Sequence, residues 1–160
     1  MSYSKVRVFD NVVEVDVITD TAIHAAGDVV AQPIELVGVS QWDGCGVITS
    51  VVVTDYDDQG GTLDVIFLRS PVTVGANNAA LNISDTEVGE VLGHVSVAAA
   101  DYLNMAGNQV ATVTNCGLVV VPETNDGDSD RSIWMAVSNP SGTPTYASGR
   151  LQVKVGILRG

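Results

Sequence analysis

Two neighbouring stretches decide the fold: Val47-Ile48-Thr49-Ser50-Val51-Val52-Val53-Thr54 and Thr62-Leu63-Asp64-Val65-Ile66-Phe67-Leu68. Both are rich in β-branched side chains, which pack well on a pleated sheet and lose rotamer freedom in a helix. The first stretch is too long and apolar to have a whole face in water, so we interpret it as a central strand. The cluster Asp57-Asp58-Gln59-Gly60-Gly61 between them is typical of a turn and predicts that they pair as a hairpin.

The rest of the chain repeats this pattern in shorter stretches. Residues 3–9 alternate between apolar and polar side chains and residues 13–17 do so strictly, as strands with one buried face require. Further candidate strands are residues 34–39, 109–114, 117–121, 132–138 and 151–158. About eight strands without crossover helices predict an all-β fold, an antiparallel β-sandwich or a jelly-roll-like barrel.

One short α-helix is expected in a long connection. Ser84-Asp85-Thr86-Glu87 has the order of a capping box, and Val88, Val91 and Leu92 recur at helical spacing up to Gly93. Together with residues 71–82, this segment is interpreted as a connection between two sheets that places a helical plug over one open end of the core. No repeat or linker divides the chain, so residues 1–160 are expected to form a single domain.

Composition excludes several classes of function. The 160 residues are 46% hydrophobic, and 19 acids against 7 bases give a net charge of −12. Binding to nucleic acid or to an anionic membrane surface requires clustered Lys and Arg, so neither partner is expected. No stretch reaches the roughly 20 apolar residues of a membrane span, and residues 1–8 lack the apolar region of a signal peptide. We therefore expect a soluble product made in the cytosol.

Few residues point to catalysis. Cys45 and Cys116 both stand beside glycine at the start of predicted strands; a disulfide between them stays open, but buried free thiols are the favoured interpretation in a chain without a signal peptide. A cysteine nucleophile needs a base, and neither His24 nor His94 lies in a motif that would pair it with a thiol or a carboxylate. The prediction is no enzymatic activity, no catalytic residues and no cofactor.

Two acidic clusters resemble calcium loops only in part. Residues 55–60 have alternating carboxylates and a glycine at the sixth position, but Ile66 takes the place of the bidentate Glu. Asp126, Asp128 and Asp130 are spaced so that they could surround a hard cation. Solvated turns are the favoured interpretation of both clusters, so no metal site is predicted, and calcium binding stays open.

The aromatic residues show no stacking ladder for sugars or bases. Tyr56, Tyr102 and Tyr146 are scattered along the chain, and Trp134 is interpreted as a core or inter-sheet residue. Trp42 lies in a predicted loop and is the better candidate for contact with a partner.

The order of segments resembles a group of tailed-bacteriophage virion proteins. The resemblance rests on the predicted hairpin of residues 50–68, then Pro71, residues 77–85 and the capped helix, with Pro144-Thr145-Tyr146-Ala147-Ser148 before the last strand. It covers the chain from Gly27 to the end, and its motifs are structural. It implies a capsid decoration (cement) protein, made in the host cytoplasm, that binds the outer surface of the head as a homo-oligomer, with the major capsid protein and copies of itself as partners.

Residues 1–10 are a candidate N-terminal arm for such contacts. The arm alternates apolar side chains with two of the seven basic residues, and it could add a strand to the edge of a neighbouring sheet. The alternative is an ordinary first strand of the chain's own sandwich. A tail or head-to-tail connector component and a carbohydrate-binding or adhesive β-sandwich module stay open as functions. The residues predicted to contact a partner are Tyr3, Lys5, Val6, Arg7, Val8, Phe9 and Trp42.

Overall fold

The computed structural model describes residues 5–9, 11–17, 19–40, 44–122 and 131–160, with the backbone alone at residues 5, 7 and 9. Within these ranges the chain forms ten β-strands. They are β1 Lys5–Phe9, β2 Val12–Val17, β3 Asp28–Leu36, β4 Gly46–Asp55, β5 Leu63–Leu68, β6 Val91–Val97, β7 Tyr102–Asn104, β8 Gln109–Val120, β9 Ile133–Asn139 and β10 Leu151–Arg159.

The strands form two sheets, and every neighbouring pair is antiparallel. The six-stranded sheet has the order β1-β2-β10-β4-β8-β7, and the four-stranded sheet has the order β3-β9-β5-β6. The main hydrophobic cluster takes side chains from both sheets. The predicted all-β antiparallel fold is therefore confirmed, and its form is a two-sheet sandwich.

The alternation seen in the sequence explains the core. Val15, Val153, Val53 and Ala111 stand side by side on four adjacent strands, and each is at most 1% exposed. The inward-facing side chains of β5 and β9 meet this layer from the other sheet. Valine is abundant because a sandwich of this kind needs branched side chains at every second position of most strands.

The predicted hairpin between residues 47–54 and 62–68 is wrong. Strand β4 pairs with β10 and β8, whereas β5 pairs with β9 and β6, so the two strands belong to opposite sheets. Residues 56–62 cross from one sheet to the other, and the buried Asp55 carboxylate accepts N–H groups of this crossing segment. Residues 57–61 do form a connection between two strands, but this connection joins the two sheets and is not the turn of a hairpin.

The predicted α-helix is also wrong. Residues 84–93 hold one 3₁₀ turn, Val88–Glu90, and Val91 already begins β6. The Glu87 carboxylate accepts the Ser84 hydroxyl at 2.7 Å and the Thr73 N–H at 3.2 Å, so it ties down the preceding loop. Because Val91 is hydrogen-bonded into the sheet opposite Leu68, the apolar spacing read as helical belongs to a strand.

The connection of residues 69–90 joins two strands of the same sheet and does not plug an end of the core. Its Val72 and Val74 pack with Ile66, Leu68 and Ala136 on the outer face of the four-stranded sheet. Trp134, predicted for the core or the space between sheets, is half-buried beside this second cluster. The four-stranded sheet is therefore covered on both faces, which accounts for the almost continuous burial of β5 and β9.

Candidate partner interface and loop end

Strand β1, which carries most of the predicted partner contacts, is the outermost strand of the six-stranded sheet. It pairs with β2 without a register shift from Lys5 opposite Asp16 to Phe9 opposite Val12. No described strand lies on its other side. Residues 5–9 thus form the first described strand of the chain's own sandwich, the alternative to a free arm, and within the described residues one row of their main-chain groups has no strand partner at the sheet edge.

The predicted contact residues differ in how far the structure describes them. Val6 is half-buried and packs against the core, and Val8 is 47% exposed. Lys5, Arg7 and Phe9 are placed in the ladder by their backbone only. Tyr3 and Trp42 lie outside the described residues.

Charges near the β1 edge are balanced, in contrast to the whole chain. The register sets Lys5 opposite Asp16 and Arg7 opposite Glu14, so positions of opposite charge face each other across the hairpin. On the next strand, the Lys154 ammonium lies 3.6 Å from the Glu14 carboxylate. This corner is therefore less acidic than the net charge of −12 implies.

The other sheet edges are shorter or covered. Strand β7, at the far side of the six-stranded sheet, has three residues. The connection of residues 69–90 covers the beginning of the β3 edge, since the Val29 N–H donates to the Ala79 carbonyl and the Val29 carbonyl accepts from the Asn78 N–H, both at 2.8 Å. Strand β6 contacts β8, and a Cβ at Gly93 would lie 2.8 Å from the Leu118 side chain. The edge of β1 has no such cover within the described residues.

A second candidate site is the end of the sandwich at which four segments cross between the two sheets, which we call the loop end. The segments are residues 19–27, 56–62, 98–101 and 140–150. A groove of about 350 Å³ opens here between Gln59, Thr62, Ser141 and Pro144. Its lining is neutral, with amide, hydroxyl and backbone groups. It offers hydrogen bonds but no charge to a ligand.

Asp55 organises the loop end. Its side chain is fully buried, and its two carboxylate oxygens accept the backbone N–H groups of Asp57, Gln59 and Gly60 at 2.9, 2.7 and 2.8 Å. Three N–H groups of one segment converge on one carboxylate, which fixes the path of the crossing segment.

The carboxylates of Asp57 and Asp58 bind neighbouring segments of the loop end. Asp57 accepts the Ala147 N–H at 2.7 Å and the Arg150 guanidinium at 3.2 Å. Asp58 accepts the amide of Gln109 at 2.6 Å. The carboxylates of residues 55–58 therefore hold protein donors, as the turn interpretation requires, whereas the cluster at residues 126–130 lies outside the described residues.

The two histidines have opposite environments. His24 is fully buried, its Nε2 lies 3.7 Å from Asp20 Oδ1, and neither ring nitrogen has a hydrogen-bond partner in the described part of the chain. His94 is exposed on β6. The sequence did not predict that His24 lies near a carboxylate, because Asp20 stands in no motif with it.

The two cysteines are free thiols, as the favoured interpretation predicts, but each is half-buried and not buried. Cys45 adjoins Gly46, the register partner of Val120, whereas Cys116 lies where β8 passes Ile48 and Ser50. About four residues of strand separate the two positions, roughly 13 Å, beyond the reach of a disulfide. Burial raises the pKa of the Cys116 thiol, which disfavours the reactive thiolate.

The three tyrosines that the structure describes form no exposed platform. Tyr146 is fully buried between the loop-end segments, and Tyr56 lies under the Arg150 guanidinium at 5.3 Å. The Tyr102 hydroxyl is buried as well. None of these rings is presented in the way that stacking on a sugar requires.

Comparison with known proteins gives no family. Neither a protein-family model nor a curated protein matches this chain. Among the described residues, no helix has the length and hydropathy of a bilayer-spanning segment. Within the same ranges, no three His, Cys, Asp or Glu side chains come together as a metal site.

Proposed function

We propose that this protein is a structural virion protein that decorates the outer surface of a phage head. Its partners are the major capsid protein and further copies of itself, and the β1 edge is the contact. The observation that carries the proposal is the regular edge of β1, which no described segment covers, together with the resemblance of the segment order to tailed-phage virion proteins.

The geometry of the edge suits strand addition. Five residues of β1 follow an unbroken register, so their outer main-chain groups are evenly spaced for a neighbouring strand. The local balance of charge lowers the repulsion that a partner would otherwise meet at a chain of net charge −12. The sandwich behind the edge supplies a rigid body, which a cement protein needs to hold neighbouring shell subunits in place.

Substitution of Val8 by Lys tests the contact. A charge at an edge position is a known device against edge-to-edge pairing. In sedimentation velocity over a concentration series, we expect wild type to associate and Val8→Lys to stay monomeric. Val88→Lys is the matched control, because Val88 is 55% exposed and lies on the 69–90 connection, away from β1. If Val8→Lys associates like wild type, β1 is not the contact.

The location is tested on particles. Immunogold labelling of phage particles with antibodies against this chain should place many gold grains on the outside of the head, in numbers proportional to capsid subunits. A few copies at one vertex would favour a connector, and labelling along the tail would favour a tail component. Either result contradicts decoration of the head.

A further inference from the structure

Residues 19–27 cover one side of the loop end and are fastened to the segment that precedes β10. The His24 N–H donates to the Pro144 carbonyl at 3.0 Å, and the Thr19 hydroxyl donates to the Tyr146 carbonyl at 3.2 Å. Ile23 forms an isolated bridge with Thr145. We call residues 19–27 the latch segment, because its contacts hold two connections together.

The ring of His24 is the buried centre of this fastening. It is fully shielded from water, with the Tyr146 ring 6.3 Å away, and neither of its nitrogens has a hydrogen-bond partner in the described chain. Such a site tolerates a neutral imidazole. An imidazolium would carry two N–H donors and a charge into the same space without an acceptor at hydrogen-bond distance.

The charged groups around His24 are mainly carboxylates, and one of them is near. Asp20 on the latch segment lies 3.7 Å from Nε2 and is 39% exposed, so it stands between the ring and water. Asp28 is engaged with the Ala25 N–H at 2.7 Å.

The titratable groups on the other packed segments are already engaged or neutral. From residues 140–150, Arg150 is bound to Asp57 at 3.2 Å. Burial keeps the Tyr146 phenol neutral by raising its pKa, and the Tyr102 phenol, Asp55 and Asp57 add to this. The counter-charge available to an imidazolium is thus Asp20, at the surface.

We propose that the latch segment is released by acid. When His24 takes up a proton, its ring moves out of the buried site to bring Nε2 from 3.7 Å to hydrogen-bond distance of the Asp20 carboxylate, which breaks the contacts of residues 19–27 with residues 140–147 and opens the loop end. Histidine is the side chain on which pH-dependent switches in proteins are most often built, so acidification is the signal to test. This inference does not depend on the decoration role.

Hydrogen exchange on the intact protein tests the latch. When the pH is lowered from 7.5 to 5.0, after correction for intrinsic exchange, we expect the amides of residues 19–27 and 145–147 to exchange about tenfold faster, with β4 and β10 unchanged, because local opening and global unfolding are separable by this method. His24→Phe should lose the response, since it keeps a ring and removes both nitrogens. His94→Gln, the exposed control, should keep it.

Asp20→Asn provides a second arm that does not require a change in the core. Asn keeps the oxygen that accepts the Ala22 N–H at 3.0 Å but removes the counter-charge. The pH of half-opening should therefore move lower. The proposal is overturned if wild type exchanges equally at both pH values, if His24→Phe opens as wild type does, or if Asp20→Asn leaves the half-opening pH unchanged.

Discussion

At the scale of single residues, the Asp55 carboxylate organises the segment that crosses between the two sheets. It is a fully buried carboxylate that satisfies three backbone N–H groups of the segment that crosses between the sheets. A carboxylate buried with several donors is stabilising, because each bond to a charged acceptor is stronger than a neutral one.

Replacing Asp55 by Ala should lower the free energy of unfolding by about 3 kcal/mol, since buried donors lose their acceptor. Urea unfolding at pH 7 measures the change. Asp55→Asn keeps one acceptor oxygen and should lose less, and the exposed Asp85→Asn should lose nothing measurable. Equal stability of Asp55→Ala and wild type would show that the crossing segment does not need the carboxylate.

Tyr146 stabilises the core through its ring and not through its hydroxyl, although both are buried. The hydroxyl has no hydrogen-bond partner among the described residues. Tyr146→Phe removes an unsatisfied polar group and should leave the free energy of unfolding at pH 7 unchanged or raise it by about 1 kcal/mol. A clear loss in urea unfolding would contradict this.

The same residue predicts an alkaline effect. Burial raises the pKa of the Tyr146 phenol, so at high pH the unfolded chain loses a proton that the folded chain keeps. The contribution of Tyr146 to the free energy of unfolding is fully present below the ordinary tyrosine pKa of about 10, and it declines as the pH rises further. Tyr146→Phe should therefore flatten the fall of Tm between pH 9 and pH 11. Tyr56→Phe, a half-buried tyrosine next to Arg150, should not.

At the scale of elements, the 69–90 connection depends on a surface carboxylate. Hydrogen bonds from Ser84 and from the Thr73 N–H lower the pKa of Glu87. Because this pKa is lowered, Glu87 stabilises the connection above the ordinary glutamate pKa of about 4.3, and this stabilisation is lost as the pH falls below that value. We expect exchange of residues 72–90 to rise below pH 4 in wild type and to be fast already at pH 6 in Glu87→Gln. Matching profiles for the two proteins would contradict the assignment.

The sequence predicts the positions of most strands but not which strands pair with each other. Strands β2, β4, β5, β9 and β10 lie within two residues of the predicted stretches, because alternation of buried and exposed side chains is a local property. Partnership is not local: β10 lies between β2 and β4, far away in sequence, and this is what separates β4 from β5. A turn cluster looks the same before a hairpin and before a crossing.

The candidate sites are likewise only partly predictable from the sequence. The sequence placed the partner contact in residues 3–9, but the position of β1 at a sheet edge follows from the insertion of β10 beside β2. The pairing of His24 with Asp20, and the packing of its segment against Tyr146, depend on how the loops fold and left no motif to detect. The capping-box order at residues 84–87 favours a helix up to Gly93, and this conceals the beginning of β6 at Val91.

At the scale of the whole molecule, the two faces of the sandwich are unequal. The chain covers the outer face of the four-stranded sheet with its own connection, and it leaves the outer face of the six-stranded sheet with half-buried polar and apolar side chains. Of the acidic residues that the structure describes, Asp55 alone is buried. The net charge of −12 is therefore carried mainly at the surface, where its repulsion is sensitive to salt.

This distribution predicts that salt stabilises the folded protein. Raising NaCl from 10 to 150 mM shortens the Debye length from about 30 to about 8 Å, which screens repulsion between surface carboxylates and leaves the buried Asp55 bonds unaffected. We expect Tm at pH 7 to rise by about 3 °C, the shift that 1 kcal/mol produces in a chain of this length. Differential scanning calorimetry in NaCl and in KCl should give equal shifts, since screening depends on ionic strength. At pH 4, where much of the acidic charge is neutralised, the rise should shrink; a Tm that falls with salt at pH 7 would mean that attractive ion pairs outweigh the repulsion.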